Sequence, residues 1–439
     1  MLKRIAVIGI LTGIGQLFSV MVIKWVAQKT NSAMLAQLGN VDSMFQLLLN
    51  IIALGLQSAA IRNIALHNDW KEEYGDTQSA RLTLAILLMP IAMMAFFHRA
   101  YIIFLIAPLL ALSGDYALYA RGYSVRASAI ALLRLLIPYS AVLLTVVFLK
   151  DGIDWFYVAG LVLAYLVSNV FISQKLGTHL FYPIRFSSLL MYIKSLPLGL
   201  LNLSLYFNGL GLLVVAPYFY TTDITGVAFV GLKLYVIVKG VLRIIQQAFF
   251  KEMLNDEICL RVDMLSMVVV CAFFGGMVIF PESTIRLFFG AQFLGYKTFF
   301  MLLAVAMLFY GFTTSMAIKA LIKRKDRSFT MLTFFSALSA LLTEIVLSFF
   351  FKSPNALAWS LIFAEMIFCV GLLFLMGARN ILMPRIMFLG KCFMLLFAIG
   401  MVRFFLNDNL LLDIICISCF VLILLFLHRG KLNSLVHQS

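Results

Sequence analysis

The sequence predicts an all-α, polytopic integral membrane protein. Of its 439 residues, 63% are hydrophobic and only 12% are charged, whereas about a quarter of the residues in a soluble domain are charged. The mean hydropathy is +1.03. Most apolar residues fall in stretches of about 20, the length that spans a bilayer as a helix. A single hydrophobic core cannot bury so much apolar surface, so we expect a lipid bilayer to surround the chain.

The pattern of apolar stretches predicts about fourteen transmembrane helices. The third stretch is short and contains Pro90. If 82–121 or 386–428 is divided differently, the count falls to twelve or thirteen. The predicted spans are 5–26, 41–64, 82–97, 100–121, 128–149, 154–174, 192–218, 225–250, 262–281, 295–321, 328–351, 354–376, 386–406 and 409–428.

The net charge of +15 has an explanation other than nucleic-acid binding. The 34 Lys and Arg residues concentrate in one alternating set of short loops between the spans. Basic residues mark cytoplasmic loops in membrane proteins. We therefore expect both termini in the cytoplasm and no nucleic-acid partner.

A polar inner stretch at 176–191 separates the first six predicted spans from the next six. The sequence thus predicts an N-terminal six-helix lobe at 1–175, a cytoplasmic linker at 176–191, a C-terminal six-helix lobe at 192–376, and a terminal helix pair with a tail at 377–439. Two lobes that meet at a central cavity and expose it alternately are a common plan among transporters.

Basic residues inside predicted spans are the main functional signal. A cation costs about 2.5–3.5 kcal/mol at the centre of an inserted helix. On the eighth span the polar residues share a face about 140° wide, at 100° per residue. Such a stripe indicates a water-filled cavity that receives an anion, although snorkelling or structural pairing remains the alternative. The basic residues within spans are Lys233, Lys239, Arg243, Arg134 and Lys319, and the stripe adds Gln246 and Gln247.

Two further sets of polar residues are candidates for the same site. Asp42, Gln46, Asn50 and Gln57 form a narrow stripe on the second span. Their amides could bind sugar hydroxyls or link neighbouring helices. The acidic residues within spans are Asp115, Glu344 and Glu365. Each could pair with a buried base or couple transport to a proton.

The sequence gives no indication of catalysis. The five histidines lie in or beside loops, and none has a metal-ligand partner at helical spacing. The Cys416-x-x-Cys419 pair lies within an apolar span, where we interpret it as small apolar filler. No phosphate-binding G-x-x-x-x-G-K-[ST] motif is present. We expect no enzyme activity, no cofactor and no metal.

The first two spans carry a recognisable motif. The segment from Ala36 to Asn40 reads AQLGN, and the segment from Leu54 to Ala65 reads LGLQSAAIRNIA. These segments resemble the start of Wzx-type O-antigen flippases, where Gly-Gln-x-x-Asn precedes a helix ending in Gly-Ile-x-x-Gly-Ile-x-Lys-Tyr-x-Ala. Gln37 and Asn40 fit with a shifted glycine. Arg62 stands where the family tends to have Lys, and Asn63 stands where it has Tyr.

The resemblance implies membership of the multidrug/oligosaccharidyl-lipid/polysaccharide exporter superfamily. It implies transfer of undecaprenyl-pyrophosphate-linked oligosaccharide, such as an O-antigen or similar surface polysaccharide repeat unit, from the cytoplasmic to the periplasmic leaflet. A basic cavity would suit the pyrophosphate, and Arg62 joins the candidate site residues. The implied setting is a bacterial inner membrane during lipopolysaccharide biosynthesis, with a polysaccharide polymerase and other assembly proteins as partners.

Two other functions remain open from the residues. A drug or small-molecule exporter of the same superfamily would favour acidic residues in its cavity, whereas this chain offers mainly basic ones. A polysaccharide polymerase or ligase would need a long outer loop for catalytic groups. The predicted outer loops are short, which makes the enzyme the weaker alternative.

Overall fold

The structure is a computed structural model that describes residues 2–66, 69–149, 151–248, 255–323, 325–377, 379–404 and 410–427. Within these ranges all regular secondary structure is helical. The predicted all-α class is confirmed.

The first compact unit extends from Met1 to Val230. Short 3₁₀ segments at Met89–Phe96, Arg99–Ile106 and Phe186–Leu189 extend or precede its helices. The α-helices are α1 (Leu2–Lys29), α2 (Ser32–Ala53), α3 (Leu56–Leu66), α4 (Trp70–Leu88), α5 (Ala107–Ala111), α6 (Asp115–Ala120), α7 (Ser124–Phe148), α8 (Ile153–Leu176), α9 (Leu190–Phe207), α10 (Leu212–Phe219) and the first residues of α11 (Thr222–Ala248).

The second compact unit extends from Gly231 to Ser439 and contains the rest of α11. A 3₁₀ segment, Ala291–Tyr296, leads into α14. The helices are α12 (Asp256–Val278), α13 (Pro281–Phe288), α14 (Lys297–Phe312), α15 (Thr314–Ile322), α16 (Asp326–Phe350), α17 (Asn355–Met376), α18 (Arg379–Phe404) and α19 (Leu410–Leu427).

The sequence sets several helix ends directly. Asn31 caps α2 by accepting a hydrogen bond from the backbone N–H of Met34 at 3.0 Å, and Asn255 caps α12 in the same way. Such caps satisfy backbone donors that a helix start leaves free. Gly177 and Gly377 end α8 and α17 in the left-handed conformation, which glycine adopts without steric cost.

The helices confirm a multi-pass membrane protein. Over the described residues, 12 helices are long and apolar enough to span a bilayer, or 13 with the bent pair α2–α3. A shorter apolar helix, Leu412–Leu424, lies where the last predicted span was placed. Large apolar side chains are exposed on the outside, including Phe96 (95%) and Phe374 (83%). A bilayer would cover such side chains, whereas soluble proteins rarely expose so much apolar surface to water.

One predicted loop proved to be helical. The predicted spans 41–64 and 82–97 leave the polar stretch 65–81 as an inner loop. Instead, α4 begins at Trp70 and buries Tyr74, Gln78 and Arg81. Gln78 donates hydrogen bonds to the hydroxyl of Tyr74 and to the carbonyl of Leu112, both at 3.0 Å. Internal hydrogen bonds therefore satisfy the polar groups that made this segment resemble a loop.

The second predicted span is broken. Between α2 and α3, Leu54 has φ 20° and Gly55 has φ 77°, and the two helices meet at a bend of 54°. A Cβ atom on Gly55 would lie 2.3 Å from the backbone oxygen of Ser195 in α9. The glycine therefore permits both the turn and the close approach of α9. The seventh predicted span, 192–218, is likewise divided into α9 and α10.

Between α8 and α9 the chain runs without helix from Thr178 to Arg185, within the predicted linker 176–191. The lobe boundaries expected from the sequence, at 1–175, 192–376 and 377–439, stay predictions.

Candidate functional site

The stripe predicted on the eighth span lies on α11, and Lys239 is its best-defined member. The ammonium group of Lys239 forms an ion pair with the Glu365 carboxylate of α17. The hydroxyl of Tyr235, one turn earlier on α11, donates a hydrogen bond to the same carboxylate oxygen at 2.7 Å. The spacing of four residues places Tyr235 and Lys239 on one helix face. This face of α11 therefore presents two donors to one acid.

Aromatic rings enclose the ammonium group. Its nitrogen lies 4.6 Å from the ring centroid of Tyr235 and 4.6 Å from that of Tyr310 in α14. Both distances are within the range of a cation–π interaction. The side chain of Lys239 is 15% exposed, whereas that of Glu365 is 1% exposed. The pairing that the sequence left open for Glu365 is thus present, and its partner is Lys239.

The other two cations of the stripe have different environments. Lys233 is buried, with 6% exposure, whereas Arg243 is exposed near the end of α11. Gln246 is buried and donates a hydrogen bond to the carbonyl of Thr314 at 2.6 Å. The side chain of Gln247 lies outside the described residues. The stripe therefore does not form one uniform basic surface, and Arg243 is its most accessible cation.

Arg134 and Asp115, predicted separately, form an ion pair in the first unit. The distance between Arg134 Nη1 and Asp115 Oδ1 is 3.4 Å, and the arginine side chain is 10% exposed. Arg134 also lies over the ring of Tyr165, 4.2 Å from its centroid, and donates a 3.5 Å hydrogen bond to Asn169. These contacts hold the Arg134 side chain among the helices of the first unit.

The polar stripe of the second span is not continuous. Gln46 and Asn50 lie on α2, where Asn50 donates a hydrogen bond to the Gln46 carbonyl at 2.8 Å. Gln57 lies on α3, beyond the break. Asp42 is 1% exposed and accepts a 2.7 Å hydrogen bond from Tyr157. The stripe was predicted on the assumption of one straight helix, which the turn at Gly55 contradicts.

Arg62 lies on α3, and its side chain is outside the described residues. The last acidic candidate, Glu344, is on α16 and is fully buried at 0% exposure. Neither of its carboxylate oxygens has a hydrogen-bond partner among the described residues. A carboxyl group without a partner is costly to bury in an apolar environment.

Two buried arginines escaped the sequence analysis, which assigned both to loops. Arg81 on α4 is 2% exposed and donates hydrogen bonds to the carbonyl of Ser113 at 2.5 Å and to its hydroxyl at 3.2 Å. Arg385 on α18 is 1% exposed and pairs with Asp263 of α12, which is 0% exposed. For Arg385 the available signal was the apolar sequence on either side, which is typical of a helix interior, whereas the polar residues before Arg81 gave no such signal.

Solved structures with a similar fold include a lipid II flippase and two MATE transporters. "Lipid II flippase MurJ, inward closed conformation" superposes with a TM-score of 0.73 at 13% identity and covers 97% of this chain and 99% of that chain. The eukaryotic MATE transporter AtDTX14 gives 0.58 at 13% identity over 89% and 97%. A multidrug resistance MATE family transporter of the MOP superfamily, in its outward-facing conformation, gives 0.51 at 15% identity over 87% and 96%.

At these identities the comparison establishes the fold alone. The chain has the fold that the MurJ flippase and the MATE transporters share. No protein-family profile matches the sequence, and no curated protein is significantly similar to it. Among the described residues no cluster of His, Cys, Asp and Glu could hold a metal ion.

Proposed function

We propose that this protein is a flippase for an undecaprenyl-pyrophosphate-linked oligosaccharide, an O-antigen or similar surface polysaccharide repeat unit. The observation that carries the proposal is the similarity to the lipid II flippase over 97% of this chain and 99% of the other, with a TM-score of 0.73. The motif around Gln37, Asn40 and Gly55 supports the narrower choice of substrate. The protein would work by alternating access in a bacterial inner membrane, without catalysis.

The basic residues of α11 suit the head group of this substrate. Because Arg243 is exposed, its guanidinium group is available to bind a pyrophosphate through two parallel hydrogen bonds. Lys233 would raise the local positive potential from within the helix, and Lys239 would do so when its partner Glu365 is protonated. Arg134 would act in the same way in the first unit, and the amides of Gln46, Asn50 and Gln57 would contact sugar hydroxyls.

The membrane potential favours export of such a substrate. Moving one negative charge out of a negative interior gains about 2.3 kcal/mol per 100 mV. A coupled proton is a second possible source of energy, and Glu365, Glu344 and Asp115 are the candidate carriers. We expect the protein to act beside a polysaccharide polymerase and other assembly proteins, which would use the translocated unit.

The proposal can be tested with purified protein in liposomes loaded with a lipid-linked oligosaccharide. An added glycosidase reports how much sugar reaches the outer leaflet with time. We expect crossing that depends on the protein, and a strong loss with Arg243→Ala. Arg327→Ala, which removes an exposed arginine at the start of α16, is the matched control and should leave crossing unchanged. If the wild-type protein gives no crossing, with or without an ion gradient, the proposal is wrong.

An exporter of drugs or other small molecules is the second candidate, because the MATE transporters share the fold. In the same liposomes, a fluorescent cationic dye measures this activity. Dye transport without crossing of the lipid-linked sugar would replace the flippase with the exporter. Acidic candidates would favour the exporter if they were accessible to a cation, but Asp115 and Glu365 are paired with bases, and Glu344 is fully buried.

A further inference from the structure

A pocket of about 300 Å³ lies entirely within the first unit. The first turns of α2, the segment between two 3₁₀ helices at His98, the start of α8, and the region between α10 and α11 all contribute to it. The topology prediction places each of these segments on the outer side of the membrane. None of the residues predicted for the substrate site lines this pocket.

Four residues that line the pocket share an unusual property: each has a buried side-chain polar atom with no hydrogen-bond partner among the described residues. The atoms are Gln37 Oε1, Asn40 Oδ1, His98 Nδ1 and Asp154 Oδ1. Asp154 is the most enclosed, at 1% exposure. A buried polar group without a partner costs about 1–3 kcal/mol. Four such atoms around one pocket therefore indicate a site that something else completes.

The sequence explains why these atoms converge. Gln37 and Asn40 are three residues apart on α2, so they share one face of that helix. Asp154 lies in the first turn of α8, where a helix N-terminus stabilises a negative charge. Burial lowers the pKa of His98 from its ordinary value of 6.5, which favours the neutral ring. A neutral imidazole has one nitrogen that accepts a hydrogen bond.

Three of the four atoms are oxygens that can only accept, so the occupant has to donate hydrogen bonds. A metal cation, an ammonium group and a set of hydroxyls all meet this need. The volume favours hydroxyls, because about 300 Å³ corresponds to about ten water molecules and reaches the lower limit for small-molecule pockets, about 300 Å³. Phe97 and Tyr220 add ring surface to the wall. Amide, carboxylate and aromatic groups together suit a sugar.

We infer that this pocket binds a saccharide through hydrogen bonds from its hydroxyls to Gln37, Asn40 and Asp154. The assignment of that saccharide to the transported lipid-linked unit rests on the proposed function, whereas the pocket itself does not. The site would hold one or two sugar residues at the outer end of the first unit. It would select substrates by the positions of their hydroxyls, separately from any recognition of the pyrophosphate.

The test is direct binding of free sugars to the purified protein. Saturation-transfer NMR would be recorded with glucose, galactose, N-acetylglucosamine, mannose and rhamnose at millimolar concentrations. We expect at least one of them to bind, and Gln37→Leu or Asn40→Leu to weaken that sugar about 5- to 100-fold, since each removes a hydrogen bond to a buried group. Gln16→Leu, a half-buried glutamine on α1 outside the pocket, is the matched control and should bind normally. Thermal unfolding of each variant would show that it is folded.

Asp154→Asn separates a sugar from a cation. The asparagine keeps an accepting oxygen, so binding of a sugar should fall only modestly. Stabilisation of the wild type by sodium or choline, lost in Asp154→Asn, together with no signal from any of the five sugars, would overturn the inference in favour of a cation site. No binding of either class would leave the pocket filled by water and would also overturn it. Because no step of this test involves transport, flipping in liposomes could succeed or fail independently.

Discussion

Replacing Lys239 with methionine should destabilise the second unit, because it leaves the Glu365 carboxyl group without its ion-pair partner at 1% exposure. Removing one partner of a buried ion pair costs about 3–5 kcal/mol. For a domain of about 150–250 residues, each kcal/mol shifts Tm by about 2–4 °C, so the expected loss is about 6–20 °C. The hydroxyl of Tyr235 still donates to Glu365, which places the result toward the lower end.

The opposite single change should cost less. In Glu365→Gln the ammonium group of Lys239 keeps 15% exposure and the two tyrosine rings at 4.6 Å. A cation–π interaction contributes about 0.5–2 kcal/mol, and the amide oxygen can accept the hydrogen bond from Tyr235. The double variant Lys239→Met/Glu365→Gln removes both charges. It should unfold closer to the wild type than Lys239→Met does, which would give a coupling energy of at least about 1 kcal/mol.

The assay is thermal unfolding of the four proteins in detergent, followed by intrinsic fluorescence, with the liposome crossing assay on each. Losses that simply add in the double variant would refute the reasoning, because they would mean that the two groups do not stabilise each other. The crossing assay then separates two roles. A double variant that folds and still transports assigns the pair to structure, whereas one that folds without transporting assigns it to the substrate or to coupling.

Three further changes test the packing around the candidate site by thermal unfolding. Gly55→Ala should lower Tm more than Gly122→Ala. Both glycines have positive φ, but only at Gly55 would the new Cβ meet backbone, at 2.3 Å. Equal losses would contradict the close approach of α9 at Gly55. Asp263→Leu should cost about 3–5 kcal/mol by removing the carboxylate that pairs with the buried guanidinium of Arg385, whereas Arg385→Met should cost less, since Asp263 keeps its hydrogen bonds from the backbone N–H and the hydroxyl of Ser315. Glu344→Met should stabilise the protein by about 1–3 kcal/mol by removing an unpartnered carboxyl group, and a fall in Tm would instead indicate a partner.

The hydropathy and the helical period of the sequence predicted the fold class and the position of Lys239 within an apolar span. Hydropathy located nearly all the spans, because a bilayer imposes the same length and apolarity on every crossing helix. The helical period placed Lys239 and Arg243 on one face of α11, because they are four residues apart. The partner of Lys239 was not predictable, since Glu365 lies 126 residues further along the chain and a one-dimensional pattern contains no information about that contact.

The predictions that were wrong concern a polar helix, α4, and a predicted span that is broken between α2 and α3. The segment that begins at Trp70 is too polar for a hydropathy scale, yet it is helical because Gln78 and Arg81 find hydrogen-bond partners in the turn between α5 and α6. The break at Gly55 is invisible to hydropathy because both sides of it are apolar. The pocket residue Asp154 was also missed, since an acidic residue at a helix start usually has only a capping role.

The number of cations on α11 overestimates how strongly the helix attracts an anion. Lys239 and Glu365 together carry no net charge, so a pyrophosphate approaching the pair meets an attraction that the carboxylate largely offsets. Arg243 is exposed and takes part in neither of the ion pairs described for the second unit. If the protein binds a pyrophosphate, Arg243 should therefore contribute more to its affinity than Lys239 does, although Lys239 lies deeper and is the more conspicuous residue in the sequence. Protonation of Glu365 would reverse this order by leaving the charge of Lys239 uncompensated, which gives the pair a physical route to couple proton uptake to anion binding.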